Sequence, residues 1–320
     1  MTTIQTHTLR DGDSAVTLLS LGAITQDWQV RDASGATVHA VLGHADAEDY
    51  RRFPGSMGVI VGRVANRIAG ARFTLNGETW VLPANEGTKQ LHGGPDGWQH
   101  RHWAMAPDGP GRVRLSLHSP DGDMGFPGEV DVQVIVTLNG TALTYDMTAT
   151  PDRPTPINMA NHNYYNLMGS GPIWDHGMQI NAGAYTPVDD ALIPTGRIVP
   201  VASTKYDFRT PCTLGKADPD RIGSDINLVL SGAQPAVTVT APNGLRLRLT
   251  TDQPGVQLYT GGGLSPRGTQ LPGQTHAAFT GFALEPQNFP DAVNQPAFPS
   301  VIFTPEKPYR QVTTIDIAPA

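Results

Sequence analysis

The sequence predicts an all-β fold, and three observations lead there. It holds 35 glycines and 28 prolines among 320 residues, about one residue in five, where ordinary usage is nearer about one in eight. Three Asn-Gly pairs separate segments in which apolar and polar residues alternate. No stretch carries a 3.6-residue apolar period long enough for a long helix. A chain so rich in turn residues, with 39% hydrophobic and only 16% charged side chains, is a well-cored β-protein rather than a helical bundle or a disordered segment. The length allows one large domain, and no composition shift, linker or fixed-period repeat divides it, so residues 1–320 are read as a single domain.

Taken in order, residues 45–52 predict a short helix or turn before Phe53-Pro54-Gly55. A first hairpin is expected from residues 72–75 and 78–82 about Asn76-Gly77, a second from 132–138 and 141–148 about Asn139-Gly140. A third is expected from 237–240 and 245–249 about Asn243-Gly244. In each, Asn and Gly accept the positive φ values that a type I′ turn requires. Residues 89–103 and 283–308 read as long loops, the first rich in Gly, His and Trp, the second holding six prolines.

Charge and cysteine content narrow the partners. The net charge is −7, from 22 basic and 29 acidic side chains without a Lys/Arg cluster, so no nucleic-acid partner is expected. Nothing approaches the run of about 20 apolar residues that a membrane helix needs, and the first residues do not resemble a secretory leader. Cys212 is alone, which fits a reducing compartment, and a cytoplasmic placement is expected.

Four polar clusters offer chemistry: Gly62-Arg63-Val64-Ala65-Asn66-Arg67-Ile68, Leu91-His92-Gly93-Gly94, the run from Asn158 through Asn161-His162 to Leu167, and the run that begins Leu284-Glu285-Pro286-Gln287. The last places a carboxylate at the end of a strand-like apolar run, before a proline that stops pairing, where it is either rim-exposed or poised in a cleft. Nucleophile elbows, phosphate loops and dinucleotide fingerprints are absent. His100 and His102 alternate as strand neighbours would, but nothing completes a zinc set, so they read as a solvated pair. What is left is His, Glu, Arg and Asn without a cofactor, a set suited to acid–base work on an uncharged polar molecule.

In this order the clusters resemble the aldose 1-epimerases, or galactose mutarotases, over nearly the whole chain. Ser119-Pro120-Asp121-Gly122-Asp123, Tyr185-Thr186-Pro187-Val188-Asp189 and Tyr259-Thr260-Gly261 extend the match. The resemblance implies a large antiparallel β-sandwich, the galactose mutarotase-like supersandwich, with few short helices and an open cleft. It implies interconversion of the α and β anomers of a free aldose such as D-galactose or D-glucose, without cofactor or metal. By position, Glu285 matches the general base that takes the proton from the anomeric hydroxyl, and His162 the general acid that protonates the ring oxygen. Glu285 is then expected to be ionised and His162 protonated at the start of turnover. His92 and Arg67 match residues that hold the sugar, with Asn66 beside them, and Asp225 matches the hydroxyl binder. Trp98 or Tyr165 offers a face for stacking on the sugar, or else packs in the core.

Two stretches depart from the family pattern. Asp225 lies in Gly223-Ser224-Asp225-Ile226-Asn227, without the usual aromatic before it or His/Asn directly after it. Gly261-Gly262-Gly263 replaces a more polar sequence, enlarging one wall of the cleft. Both bear on sugar preference, so an epimerase specialised for a pentose or deoxyhexose is one alternative. A non-catalytic carbohydrate-binding protein is another, although it has no need of Glu285 and His162. A glycoside hydrolase is a third, and it requires a second carboxylate at the reacting bond.

Overall fold

Alternation builds the largest sheet. In Val130–Asn139 and Ala142–Pro151, every second side chain (Val132, Val134, Val136; Leu143, Tyr145, Met147) is buried, while those between are half-exposed. Leu245–Thr251 and Tyr309–Pro319 keep the same two-residue period. In the computed structural model, which describes residues 2–320, these strands form the middle of a nine-stranded antiparallel sheet. Its order is Ala104–Pro107, Arg112–Ser119, Val130–Asn139, Ala142–Pro151, Tyr309–Pro319, Leu245–Thr251, Val237–Thr240, Gly177–Ile180 and Cys212–Thr213. Ile315 stands opposite Leu143 on one side and Leu249 on the other, so the last strand is a central one.

A six-stranded sheet runs Tyr164–Tyr165, Phe282–Gln287, Gly255–Tyr259, Asp225–Leu230, Ala182–Thr186 and Val199–Pro200. A four-stranded sheet runs Thr6–Asp11, Ser14–Leu19, Thr25–Arg31 and Thr37–His39. One continuous core joins all three: Val134, Tyr145 and Leu247 from the first, Leu228, Leu258 and Phe282 from the second, Leu9 and Trp28 from the third. Each such side chain contributes about 1.5–3 kcal/mol relative to exposure. The expected antiparallel sandwich is what forms.

The three hairpins exist, but only one has the expected turn. Asn76 (φ 53°) and Gly77 (φ 83°) form a two-residue loop between Leu75 and Glu78, as a type I′ turn demands. In the second, Asn139 stays in the strand opposite Ala142, and the loop is Gly140-Thr141 with Gly140 at φ 58°. Glycine at the first loop position is the pattern of a type II′ turn. In the third, Ala241 and Leu245 flank a three-residue loop in which Gly244 (φ 82°) donates to Ala241 O at 3.0 Å. Pro242 fixes its own φ near −65°, which selects an ordinary turn closed by a left-handed glycine.

Among the described residues, helix is confined to single turns. The turn expected at 45–52 is Asp49–Arg52, and a second, Leu214–Ala217, is started by Thr213, whose hydroxyl accepts from the Lys216 amide at 3.3 Å. Among the described residues, no helix is long and apolar enough to cross a membrane. The expected loop over 283–308 is corrected at its start. Phe282–Gln287 is a buried strand, and it continues through Pro286, which stands opposite Val256. A proline fits there because Tyr164–Tyr165 pairs only with Phe282 and Ala283, leaving Pro286 with a single ladder and one amide fewer to satisfy. Glu285 is therefore a mid-strand residue, not a strand-end one.

Candidate active site

Six residues singled out in the sequence (Asn66, Arg67, His92, His162, Asp225 and Glu285) line one cleft of about 470 Å³, with Tyr164, Tyr259, Leu192 and Gly262-Gly263 completing its walls. Glu285 enters from the six-stranded sheet, opposite Gln257, and is 2% exposed. Behind it, Gln311 on the nine-stranded sheet donates to Pro286 O at 2.9 Å, fixing the Glu285 strand from the far side. The Tyr309 hydroxyl on that same strand donates to Gln311 Oε1 at 2.5 Å and accepts from the Met159 amide at 3.2 Å. One central strand thus supports both the Glu285 strand and the segment leading to His162.

His162 follows the short strand Ala160–Asn161 and exchanges backbone hydrogen bonds with Val59 (2.9 Å) and Gly58 (3.0 Å). Its Nε2 lies 3.4 Å from Glu285 Oε1, with both side chains buried. Burial pushes the Glu285 carboxyl well above its ordinary range, Asp225 adds to this and Arg67 opposes it. Burial also pulls His162 down to about 4. Both shifts disfavour the charged forms, contrary to the expected start with Glu285 ionised and His162 protonated. Carboxylate with imidazolium and carboxyl with imidazole hold the same single proton, however, and the pair titrates as a unit. Such a pair moves one proton between two oxygen atoms of a bound molecule.

His92 and Asn66 hold each other. The Asn66 amide donates to His92 Nδ1 at 3.1 Å and the His92 amide donates to Asn66 O at 2.9 Å. Because Nδ1 accepts, neutral His92 carries its proton on Nε2. Burial, then the neighbouring His162 and Arg67, keep His92 well below the ordinary histidine value and so neutral. Both residues are left-handed (φ 60° and 51°), an arrangement that few non-glycine residues adopt and that is found at binding sites. The following Gly93 is obligatory: a Cβ there would lie 1.9 Å from Gly62 O.

Arg67 is 7% exposed and pairs with Leu91 in a two-residue ladder. Its Nε and Nη2 donate to both oxygens of Glu86 at 2.6 and 2.9 Å, while Nη1 faces Asp225 Oδ2 at 3.5 Å. Asp225 also accepts from Gln257 Nε2 at 2.5 Å. A fork of guanidinium and carboxylate groups of this kind matches vicinal hydroxyls. His92, His162 and Glu285 also bring donor atoms within 4.8 Å of one another, the described grouping that comes nearest to a cation site.

The family model described as Aldose 1-epimerase matches residues 5–316. The chain belongs to the aldose 1-epimerase family. It is 40% identical to the galactose mutarotase of Rattus norvegicus over 97% of this chain and 93% of that one. It is 37% identical to the aldose 1-epimerase of Escherichia coli strain K12, over 89% and 86% respectively. Among solved structures, an aldose epimerase homologue from C. elegans superposes with a TM-score of 0.95 at 29% identity, over 99% of this chain and all of that one. Galactose 1-epimerase from Lactobacillus acidophilus gives 0.86 at 27% identity, over 99% and 95%.

Within this aldose 1-epimerase fold, several expectations shift. Trp98 and Tyr165 are core residues at 1% and 0% exposure, and the aromatic groups that face the cleft are Tyr164 and Tyr259. His100 and His102 both keep partial solvent exposure, but they are not strand neighbours: a 3-10 turn over Trp98–His100 breaks their alternation, and His102 Nε2 accepts from Arg51 at 2.6 Å. In the motif from Gly62 to Ile68, Arg63 is structural. It is buried against Pro127 O, Gly128 O and Ser119 Oγ, and burial draws it down to about 10. Glu86 and Leu192 belong to the site's surroundings and carry no motif of their own. The only sequence signal for Glu86 is an acidic residue in the turn just before Leu91-His92.

Proposed function

We propose that the chain interconverts the α and β anomers of a free aldose, with Glu285 as general base and His162 as general acid. The observation that carries this reading is the buried imidazole–carboxylate pair at 3.4 Å, facing a cleft whose other groups suit hydroxyls. The anomeric O1–H proton passes to Glu285, and O1 forms the carbonyl as the C1–O5 bond breaks. Its electron pair goes to O5, which takes the proton from His162. The open aldehyde turns about C1–C2, and as O5 closes on the other face it returns its proton to His162 while O1 takes its proton back from Glu285. Anomers already interconvert in water, so two positioned groups, each giving about 10²–10⁴-fold, are sufficient.

Arg67 and Asp225 orient ring hydroxyls, and the Nε2–H of His92 donates to a sugar oxygen, with Asn66 fixing that tautomer. Relatives named for galactose make D-galactose, with D-glucose, the first sugars to test. Gly262 and Gly263 line that side of the cleft without side chains, while a Cβ at Gly261 would lie 2.2 Å from Gly281 O, so that glycine serves close backbone packing. Asp225 has its oxygens engaged by Arg67 and Gln257, which disfavours its use as the second carboxylate of a hydrolase. We read residues 1–320 as one catalytic domain and, from unpaired Cys212, place it in the cytoplasm.

Polarimetry tests the reading. Freshly dissolved α-D-galactose or α-D-glucose should relax faster with catalytic amounts of protein. A rate equal to that of buffer across hexoses, pentoses and deoxyhexoses overturns it. Sugar binding without acceleration supports the non-catalytic alternative, and cleavage of an aryl glycoside supports the hydrolase.

A further inference from the structure

A chain of contacts crosses one rim of the cleft from Arg67 to the Leu192 loop. Glu86 takes Nε and Nη2 of Arg67 with its two oxygens, so Nη1 is the guanidinium nitrogen left for Asp225 and the sugar. Lys89 lies 3.1 Å from Glu86 Oε2, and its Nζ donates at 2.6 Å to Ala191 O on the opposite loop. That loop is a tight built turn: Asp189 Oδ1 accepts from the amides of Ala191 (2.9 Å) and Ile193 (3.0 Å). At its tip, Leu192 is left-handed (φ 59°), one-third exposed, and part of the cleft wall. A leucine in that conformation is strained by about 1–2 kcal/mol. It gains little from burial there, so its placement points to what enters the cleft rather than to the fold.

We propose that Glu86 and Lys89 are positioning residues that form a clasp, coupling the aim of Arg67 to the seat of Leu192 over the sugar. Neither touches the reacting atoms. The clasp acts on Arg67 through the bidentate ion pair and on Leu192 through Ala191 O. It grips an apolar patch of a pyranose, its ring C–H face, between Leu192 and the hydroxyl-binding fork. This proposal rests on the mutarotase reading.

The test is steady-state polarimetry on α-D-galactose with wild type, E86Q, E86D, K89M and the E86Q/K89M double variant. For E86Q, KM should rise about ten- to a hundredfold while kcat stays within a few-fold, because a misaimed orienting group weakens the grip before the chemistry. E86D, which keeps the charge, should recover part of that loss. K89M should raise KM about two- to fivefold, and should add little in the E86Q background, since both act through one linkage. Thermal midpoints should stay near wild type throughout. An E86Q KM within twofold of wild type, or fully additive effects, overturns the clasp. Should E86Q fail to fold, K89M decides alone, and an unchanged KM there overturns it equally. A wild type inactive on every aldose sinks the mutarotase reading instead, so the two failures are distinguishable.

Discussion

Strand Val130–Asn139 and strand Phe282–Gln287 follow opposite rules within one molecule. The first alternates: its inward side chains are all valine or leucine, and its outward ones are polar or half-exposed. The second is buried at all six positions, and it carries Glu285 and Gln287 inside. Glu285 Oε2 and both polar side-chain atoms of Gln287 lack a protein partner. An unpaired polar group in the interior costs about 1–3 kcal/mol, more when charged. The strand that faces the cleft thus carries unpartnered buried polar atoms, and the strands of the large sheet carry none.

Substitutions in the two strands' surroundings should therefore separate activity from stability. E285Q is the largest expected effect. Turnover should fall about 10²–10⁴-fold, with sugar binding kept and the thermal midpoint unchanged or higher, because a desolvated carboxyl is removed. H162N should fall in the same range. A variant that keeps half the wild-type rate on polarimetry ends the distinction between the two strands. Next in size is Leu247→Ala in the large sheet, where the side chain is fully buried. It should lose about 2–5 kcal/mol of stability by denaturant titration, with kcat per folded molecule unchanged. The smallest effect is on the pH profile of kcat/KM. The active pair holds one proton, and acid inactivates by adding a second, to His162. Since burial lowers His162 to about 4, the acid limb should lie below the ordinary histidine value of about 6.5. An acid limb at or above that value would mean that His162 is not desolvated as described.

Much of the molecule was legible because the signals were local. Asn76-Gly77 specifies its turn by itself, and Leu143 with Met147 specify a face. The site residues were legible through motif order, which holds Asn66, Arg67, His92, His162, Asp225 and Glu285 at fixed places along the chain. What was not legible depends on tertiary pairing. The strand through Pro286 exists because only one neighbour pairs at that point. Glu86 matters through a guanidinium 19 residues away, and nothing at Asp189-Asp190-Ala191-Leu192 announces that its tip meets Lys89. The protonation of Glu285 and His162 follows from their burial, which no spacing encodes. Pro242, by contrast, was readable in principle: its presence before Asn243-Gly244 argues against a type I′ turn.

The central place of Tyr309–Pro319 has a consequence for how the molecule is made. On the ribosome, the hairpin of Val130–Asn139 with Ala142–Pro151 and that of Val237–Thr240 with Leu245–Thr251 emerge complete. They remain two half-sheets until residues 309–319 join them. The same strand brings Gln311 to Pro286 O. The framework around Glu285 is therefore completed only once residues 309–319 have been made. A chain stalled before Tyr309 exposes two open strand edges to chaperones and to mispairing.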